Sequence, residues 1–193
     1  MELPRLNVAP AFLENIKQSH VSAMSAWGDV VDNSRDARAT RLDIRVCRTP
    51  SGNDMVVLTD NGVGMSETDM ATGIRGIGYT DKGLETGQHY GFGSTTSLPR
   101  LSDHCVVLSA RDDQMTACML STKLQSLLET AETVMPHCTW TSAGELLNTT
   151  TEFLSPAARR NSLHTLSTFS PFSESDLLMQ VQLLLTSRHV TSI

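Results

Sequence analysis

The chain has 193 residues, a formal net charge of −6, 39% hydrophobic residues and 5% aromatics. That length suits one sizeable α/β core better than two small ones, and the acidic balance argues against a broadly basic nucleic-acid surface. No apolar run is long enough to span a bilayer, and the opening "MELPRLNVAP" lacks the basic-then-apolar pattern of a secretory signal.

In chain order, "HVSAMSAWGDVVDNSRDA" (His20 to Ala37) repeats Ala23, Met24, Trp27, Val30 and Val31 at helical spacing, which predicts an amphipathic helix. "TRLDIRVC" alternates Leu42, Ile44 and Val46 with charged residues, the pattern of a half-buried strand. "TPSGND" is a turn cluster, "MVVLTD" a further strand, and Ser66 a candidate cap for a helix through "SETDMATGI". From Arg75 to Arg100 glycine recurs densely without a periodic core face, so this segment is expected to be a mobile loop; long loops in compact domains are usually functional or disordered. "HCVVLSA" and "MTACMLS" predict two antiparallel strands turned at "RDDQ". "TWTSAGELLNTTTEFLSPAARRN" is rich in Ser and Thr and yields no assignment. "SPFSESDLLMQVQLLLT" predicts a helix capped by Ser173, its Leu177 to Leu185 stretch packing into the core, and "RHVTSI" begins a strand. Because the chain stops in that strand, residues 1–193 are expected to be one domain cut before a following region.

Four cysteines (Cys47, Cys105, Cys118, Cys138) form no C-x-x-C pair, which argues against structural zinc and for free thiols in a reducing compartment. The six histidines show no H-x-x-x-H pair, so a histidine metal site is not expected. Ser94 follows a glycine but has no G-x-S-x-G elbow and no nameable base.

Three stretches carry chemistry. Asp29 and Asn33 are i and i+4, so they share a helix face. A carboxylate can orient or deprotonate an attacking water, and an amide oxygen can ligate Mg²⁺. On the helix alone, a solvated acidic face is the better explanation of both residues, since charge runs are usually solvent-facing. In "DNGVGM", Asp60 follows a buried-looking strand, where a carboxylate can accept from an exocyclic amine, and Gly62 and Gly64 allow the backbone close to a flat base. An Asp-Asn-Gly hairpin turn is the plain alternative. In "GQHYGFGSTTS", Gly87, Gly91 and Gly93 precede a Ser/Thr run whose backbone N–H groups could cradle phosphate at a helix N-terminus, although no Walker A lysine follows.

Taken in order, the N-x-x-D-A helix, the D-x-G-x-G turn and the glycine-rich lid resemble the GHKL ATPases, and in detail their MORC (microrchidia) branch. "SHVSAMSAWGDVVDNSRDA", "GIGYTDKG", "GQHYGFGSTTSLPRLSDHCVVLSA", "LHTLSTFSPFSESDLLMQVQLL" and "HVTSI" resemble successive segments of that branch; the resemblance is weakest over residues 118–161. It implies a Bergerat-type two-layer α/β (α+β) sandwich, a mixed, mostly antiparallel sheet with helices on one face, and ATP bound between the layers. It further implies Mg-ATP binding with slow hydrolysis, lid closure, an ATP-dependent homodimer, chromatin or DNA engaged through other regions, and a nuclear location without a membrane. A degenerate nucleotide-binding or interaction module without significant hydrolysis is the alternative.

Residue by residue, the resemblance makes Asn33 the Mg²⁺ ligand and Asp60 the acceptor of the adenine amino group, with Thr191 beside it. Ala37, Gly62, Gly64 and Met65 would line the adenine pocket. Lys82 would be a lid lysine near the phosphates, and Gly91 and Gly93 the lid glycines. Two positions depart. Where the family keeps a glutamate general base, this chain has Asp29, one methylene shorter; a misplacement of about 1 Å can cost roughly 100-fold in rate. Where the lid usually has a lysine after its last glycine, this chain has Ser94, Thr95 and Thr96, which removes a cation from the γ-phosphate.

Overall fold

The structure is a computed structural model, which describes residues 5–6, 11, 15, 17–18, 22–49, 52–73, 93–124, 133–147, 156–186 and 191–192. Its helices are α1 (Ala23–Asp36), α2 (Glu67–Gly73), α3 (Gly93–Leu101), α4 (Pro156–Phe169) and α5 (Glu174–Thr186). Its strands are β1 (Arg5–Leu6), β2 (Leu42–Arg48), β3 (Asp54–Asp60), β4 (His104–Arg111), β5 (Gln114–Ser121), β6 (Thr133–Val134), β7 (His137–Thr141) and β8 (Thr191–Ser192). No helix among the described residues is long and apolar enough to cross a membrane.

The main sheet has six strands in the order β2-β3-β8-β4-β5-β7, and every pairing among the described strands is antiparallel. β1 and β6 form a separate two-residue pair. The β4–β5 hairpin closes through Asp112 and Asp113 at φ 51° and 58°, a turn with both central residues left-handed, which matches strand twist and which Asp tolerates.

The strands alternate between two cores. Val107, Cys118 and Leu120 face Val30, Met70 and Leu98, under α1 to α3. Their sequence neighbours Leu108, Ala117 and Met119 face the opposite side, toward Leu163 and Leu166 of α4 and Leu177 of α5. Burying a Leu, Val or Met side chain fully contributes about 1.5–3 kcal/mol. The α/β sandwich is therefore present, with α4 and α5 adding a helical cover to the second face that the expectation of helices on one face left out. Its cause is visible in β5, buried at every position after Gln114 and so apolar or satisfied on both sides.

The loop expected from Arg75 to Arg100 is overturned at its end. Residues 93–101 form α3, with Ser97 and Leu98 buried against the rest of the fold. Packing against α1 overrides the weak local periodicity of "GSTTSLPRL". Residues 74–92 lie outside the described residues.

Between β3 and β4 lies a cavity of about 460 Å³. Its lining includes Trp27, Val30 and Leu98 from the α1–α3 side and Leu108, Phe169 and Phe172 from the α4–α5 side. Among the described residues, β8 joins β3 to β4 at Thr59, Asp60, Leu108 and Ser109.

Candidate functional site

Helix α1 starts at Ser22, whose side chain accepts from the Ser25 N–H, and ends at Ala37, whose N–H donates to the Asn33 carbonyl. Ala26, Val30 and Ser34 are its buried positions, one stripe at i, i+4 and i+8. That stripe turns Asp29 partly inward, while Asn33 is exposed one turn further along.

The C-terminal end of α1 is sewn to the turn after β3. The Ala37 carbonyl accepts from Val63 N–H at 2.9 Å. The Asn61 side-chain oxygen accepts from the N–H groups of Thr40 and Arg41 at 2.9 and 2.8 Å, and its amide donates to Thr40 Oγ1. Gly62 is buried so tightly on the helix end that a Cβ would lie 2.7 Å from Ala37 Cβ and 2.8 Å from its carbonyl oxygen. Gly64 has φ +69°, and a Cβ there would lie 2.0 Å from the Ala110 carbonyl oxygen. Met65 N–H donates to Ser109 Oγ at 2.8 Å.

Asp60 ends β3, 6% exposed. Its Oδ1 accepts from Gly62 N–H at 2.8 Å and its Oδ2 from the Ser34 hydroxyl at 3.1 Å. A carboxylate has about four lone-pair sites, so both oxygens keep capacity for another donor. In sheet register Asp60 lies opposite Thr191, and Thr191 opposite Ser109, so the three form one row across β3, β8 and β4.

In the middle of α1, Asp29 Oδ2 accepts from the Ser97 hydroxyl at 2.5 Å. Ser97 is fully buried. It lies on α3, whose first residue is Gly93.

Of the residues singled out from sequence, Asp60, Gly62, Gly64 and Met65 form a continuous turn against Ala37 and Ser109, with Thr191 in register beside Asp60. Asp29 and Asn33 share the exposed-to-intermediate side of α1, and Gly93 opens the helix that touches Asp29. Lys82 and Gly91 lie outside the described residues. Sequence reasoning passed over Ser34, Asn61, Ser97 and Ser109. Ser34 and Ser97 could have been suspected as hydroxyls on apolar helix faces; nothing local marks Asn61 or Ser109.

A single amide is a sparse metal set, and among the described residues no group of three His, Cys, Asp or Glu side chains could hold an ion by itself. Mg²⁺ usually takes only one or two protein ligands beside phosphate oxygens and waters. Asn33 is exposed one turn from Asp29, so its amide oxygen is open to such a ligand role.

The family described as histidine kinase-, DNA gyrase B-, and HSP90-like ATPase matches residues 21–152. ATPase MORC2 from Homo sapiens is 29% identical over 143 residues, covering 72% of this chain and 14% of that protein. MORC family CW-type zinc finger protein 1 from Mus musculus is 27% identical over 191 residues, covering 94% of this chain and 19% of that protein. Protein MICRORCHIDIA 7 from Arabidopsis thaliana is 32% identical over 110 residues, covering 54% of this chain and 15% of that protein. The chain spans less than a fifth of the length of these relatives. Spanning well over half of the chain, and joined by relatives from mammals and a plant, the match shows that this protein belongs to the histidine kinase-, DNA gyrase B- and HSP90-like ATPases, as an ATP-binding domain of the MORC type.

Proposed function

We infer that residues 1–193 form one nucleotide-binding domain that holds Mg-ATP and hydrolyses it slowly. The observation that carries this reading is Asp60, a nearly buried carboxylate with spare acceptor capacity at a strand end, walled by two glycines that bring backbone close. Its acceptor oxygens suit an exocyclic amine, and a base lying flat on the Gly62–Met65 turn would meet Ala37 and the Asp60–Thr191–Ser109 row.

The phosphates then point along α1 toward Asn33 and Asp29. Asn33 would hold Mg²⁺ through its amide oxygen; the ion, when bound, neutralises phosphate charge. Asp29 orients the attacking water and takes its proton, the work of a general base. By the resemblance, Gly91, Gly93 and Lys82 would be the lid residues that cover the phosphates. Slow turnover follows from two features of the chain itself. Asp29 is one methylene shorter than the glutamate the resemblance expects, and Ser94, Thr95 and Thr96 supply no cation to the developing charge. ATP-driven lid closure, homodimerisation, and attachment to chromatin or DNA in the nucleus through regions outside these residues complete the reading. The alternative, a domain that holds nucleotide without turning it over, is favoured by the same two features.

Both are tested in sequence. Mg-ATP at about a hundredfold its Kd stabilises a protein by about 2.7 kcal/mol, roughly 5–10 °C in Tm for a domain of this size. No shift at millimolar Mg-ATP removes both readings. With binding in hand, turnover is compared in Asp29→Glu and Asp29→Asn. A gain with Glu and a loss with Asn identify a weak ATPase; equal background rates in all three forms identify a holder of ATP.

A further inference from the structure

A short carboxylate on a helix surface has rotational freedom that a water-orienting group must give up, and fixing a side chain has an entropic cost on every encounter. In this chain that freedom is already removed. Asp29 Oδ2 is fixed at 2.5 Å by the hydroxyl of Ser97, which is itself fully buried between Thr96 and Leu98 on α3. The distance is that of a charge-assisted O–H···O⁻ bond, the strong class of side-chain hydrogen bond. With Oδ2 engaged, Oδ1 is left to accept from a water.

The bond also links two parts of the site. Ser97 is four residues into α3, so at 1.5 Å per residue its Cα lies about 6 Å along the helix from Gly93, the glycine that opens it. Val30, the residue after Asp29, and Leu98, the residue after Ser97, are buried in the same core, so the two helices cannot slide apart without opening it. The carboxylate is thereby referenced to the helix that begins at the lid glycine rather than to α1 alone.

We propose that Ser97 is a positioning residue for Asp29: its hydroxyl holds one carboxylate oxygen so that the other meets the attacking water, compensating in orientation for the reach that aspartate lacks. This rests on the reading of Asp29 as the group that orients that water. The residue acts through Asp29 and touches no substrate.

The test compares Mg-ATP turnover by the 193-residue protein and its Ser97→Ala, Asp29→Asn and double variants, with folding of each checked by thermal melting. Ser97→Ala is expected to lower kcat about tenfold while KM and the ATP-induced rise in Tm stay within about twofold, because an interaction that matters only during reaction leaves ground-state binding alone. In the Asp29→Asn background, Ser97→Ala is expected to change kcat by less than about twofold, since groups acting as one unit are non-additive. Unchanged kcat in Ser97→Ala overturns the proposal. So does a rise in KM matching the fall in kcat, which would mean general loss of the binding site, and so does a full tenfold effect that persists with Asn at position 29. If Asp29→Asn turns over at the wild-type rate, the base reading fails and the proposal falls with it. An inactive Asp29→Asn beside a fully active Ser97→Ala sinks the Ser97 proposal alone.

Discussion

The Ser34 hydroxyl donates to Asp60 Oδ2 at 3.1 Å, fastening the helix that carries Asp29 and Asn33 to the strand end that carries Asp60. Ser34 is 5% exposed and Asp60 6%, so water cannot readily replace the donor. Leaving a buried acceptor short of its partner costs about 1–3 kcal/mol. Ser34→Ala is expected to lower unfolding free energy by that amount in urea titration. It should also weaken ATP binding about fivefold to tenfold by calorimetry, because Asp60 loses one of the two bonds that orient it. A variant equal to wild type in both measurements would show that the bond orients nothing.

Gly64 offers a sharper test, with its own control. At φ +69° any side chain is strained, and a Cβ would press to 2.0 Å from a backbone oxygen of the central strand β4. Gly64→Ala is expected to lose about 2–4 kcal/mol of stability. Gly52 has φ +86° but open space around it. Gly52→Ala therefore carries the conformational cost alone, about 1–2 kcal/mol. Equal losses at the two positions in chemical denaturation would contradict the close approach of the Gly64 turn to Ala110.

The site's flank is acid-sensitive through Asp69. Burial pushes its carboxyl up, but the Ser66 N–H and hydroxyl and the Arg111 guanidinium outweigh it and hold the group below the usual 3.8. A depressed folded value contributes stability that is complete above the unfolded value and is lost as pH falls through the folded one. Wild type should therefore lose stability as pH drops below about 4, and Asp69→Asn should show a shallower acid limb in melting temperature against pH. Identical limbs would mean that the contact between α2 and the end of β4 contributes nothing.

Where periodicity was strong, the sequence was readable. α1 falls inside the expected 20–37 span, the β4–β5 hairpin turns at the expected "RDDQ", and Ser173 caps α5 as expected, accepting from Asp176 N–H. α4 escaped because its inward face is partly hydroxylic. Ser162 and Thr165 are buried beside Leu163 and Leu166, and Thr165 hides its hydroxyl on the Asn161 carbonyl. A pattern that counts only apolar residues sees too few there. α3 escaped for a related reason: Ser97, its fully buried hydroxyl, finds its partner on α1, 68 residues away in sequence. The order of Asp29, Asn33, Asp60 and the glycines was legible because each occupies a short motif. Ser34, Asn61, Ser97 and Ser109 were not, because their meaning lies wholly in what they touch.

The clasp between α1 and the turn after β3 has a consequence for motion. The Ala37 carbonyl accepts from Val63 N–H, and the Asn61 side-chain oxygen accepts from the N–H groups of Thr40 and Arg41, so the last turn of the helix and the turn beside Asp60 cannot open separately. Amide protons of Thr40, Arg41 and Val63 should therefore exchange with solvent together, since protection follows local opening. The wall on which a base would dock loosens as one unit or stays closed as one.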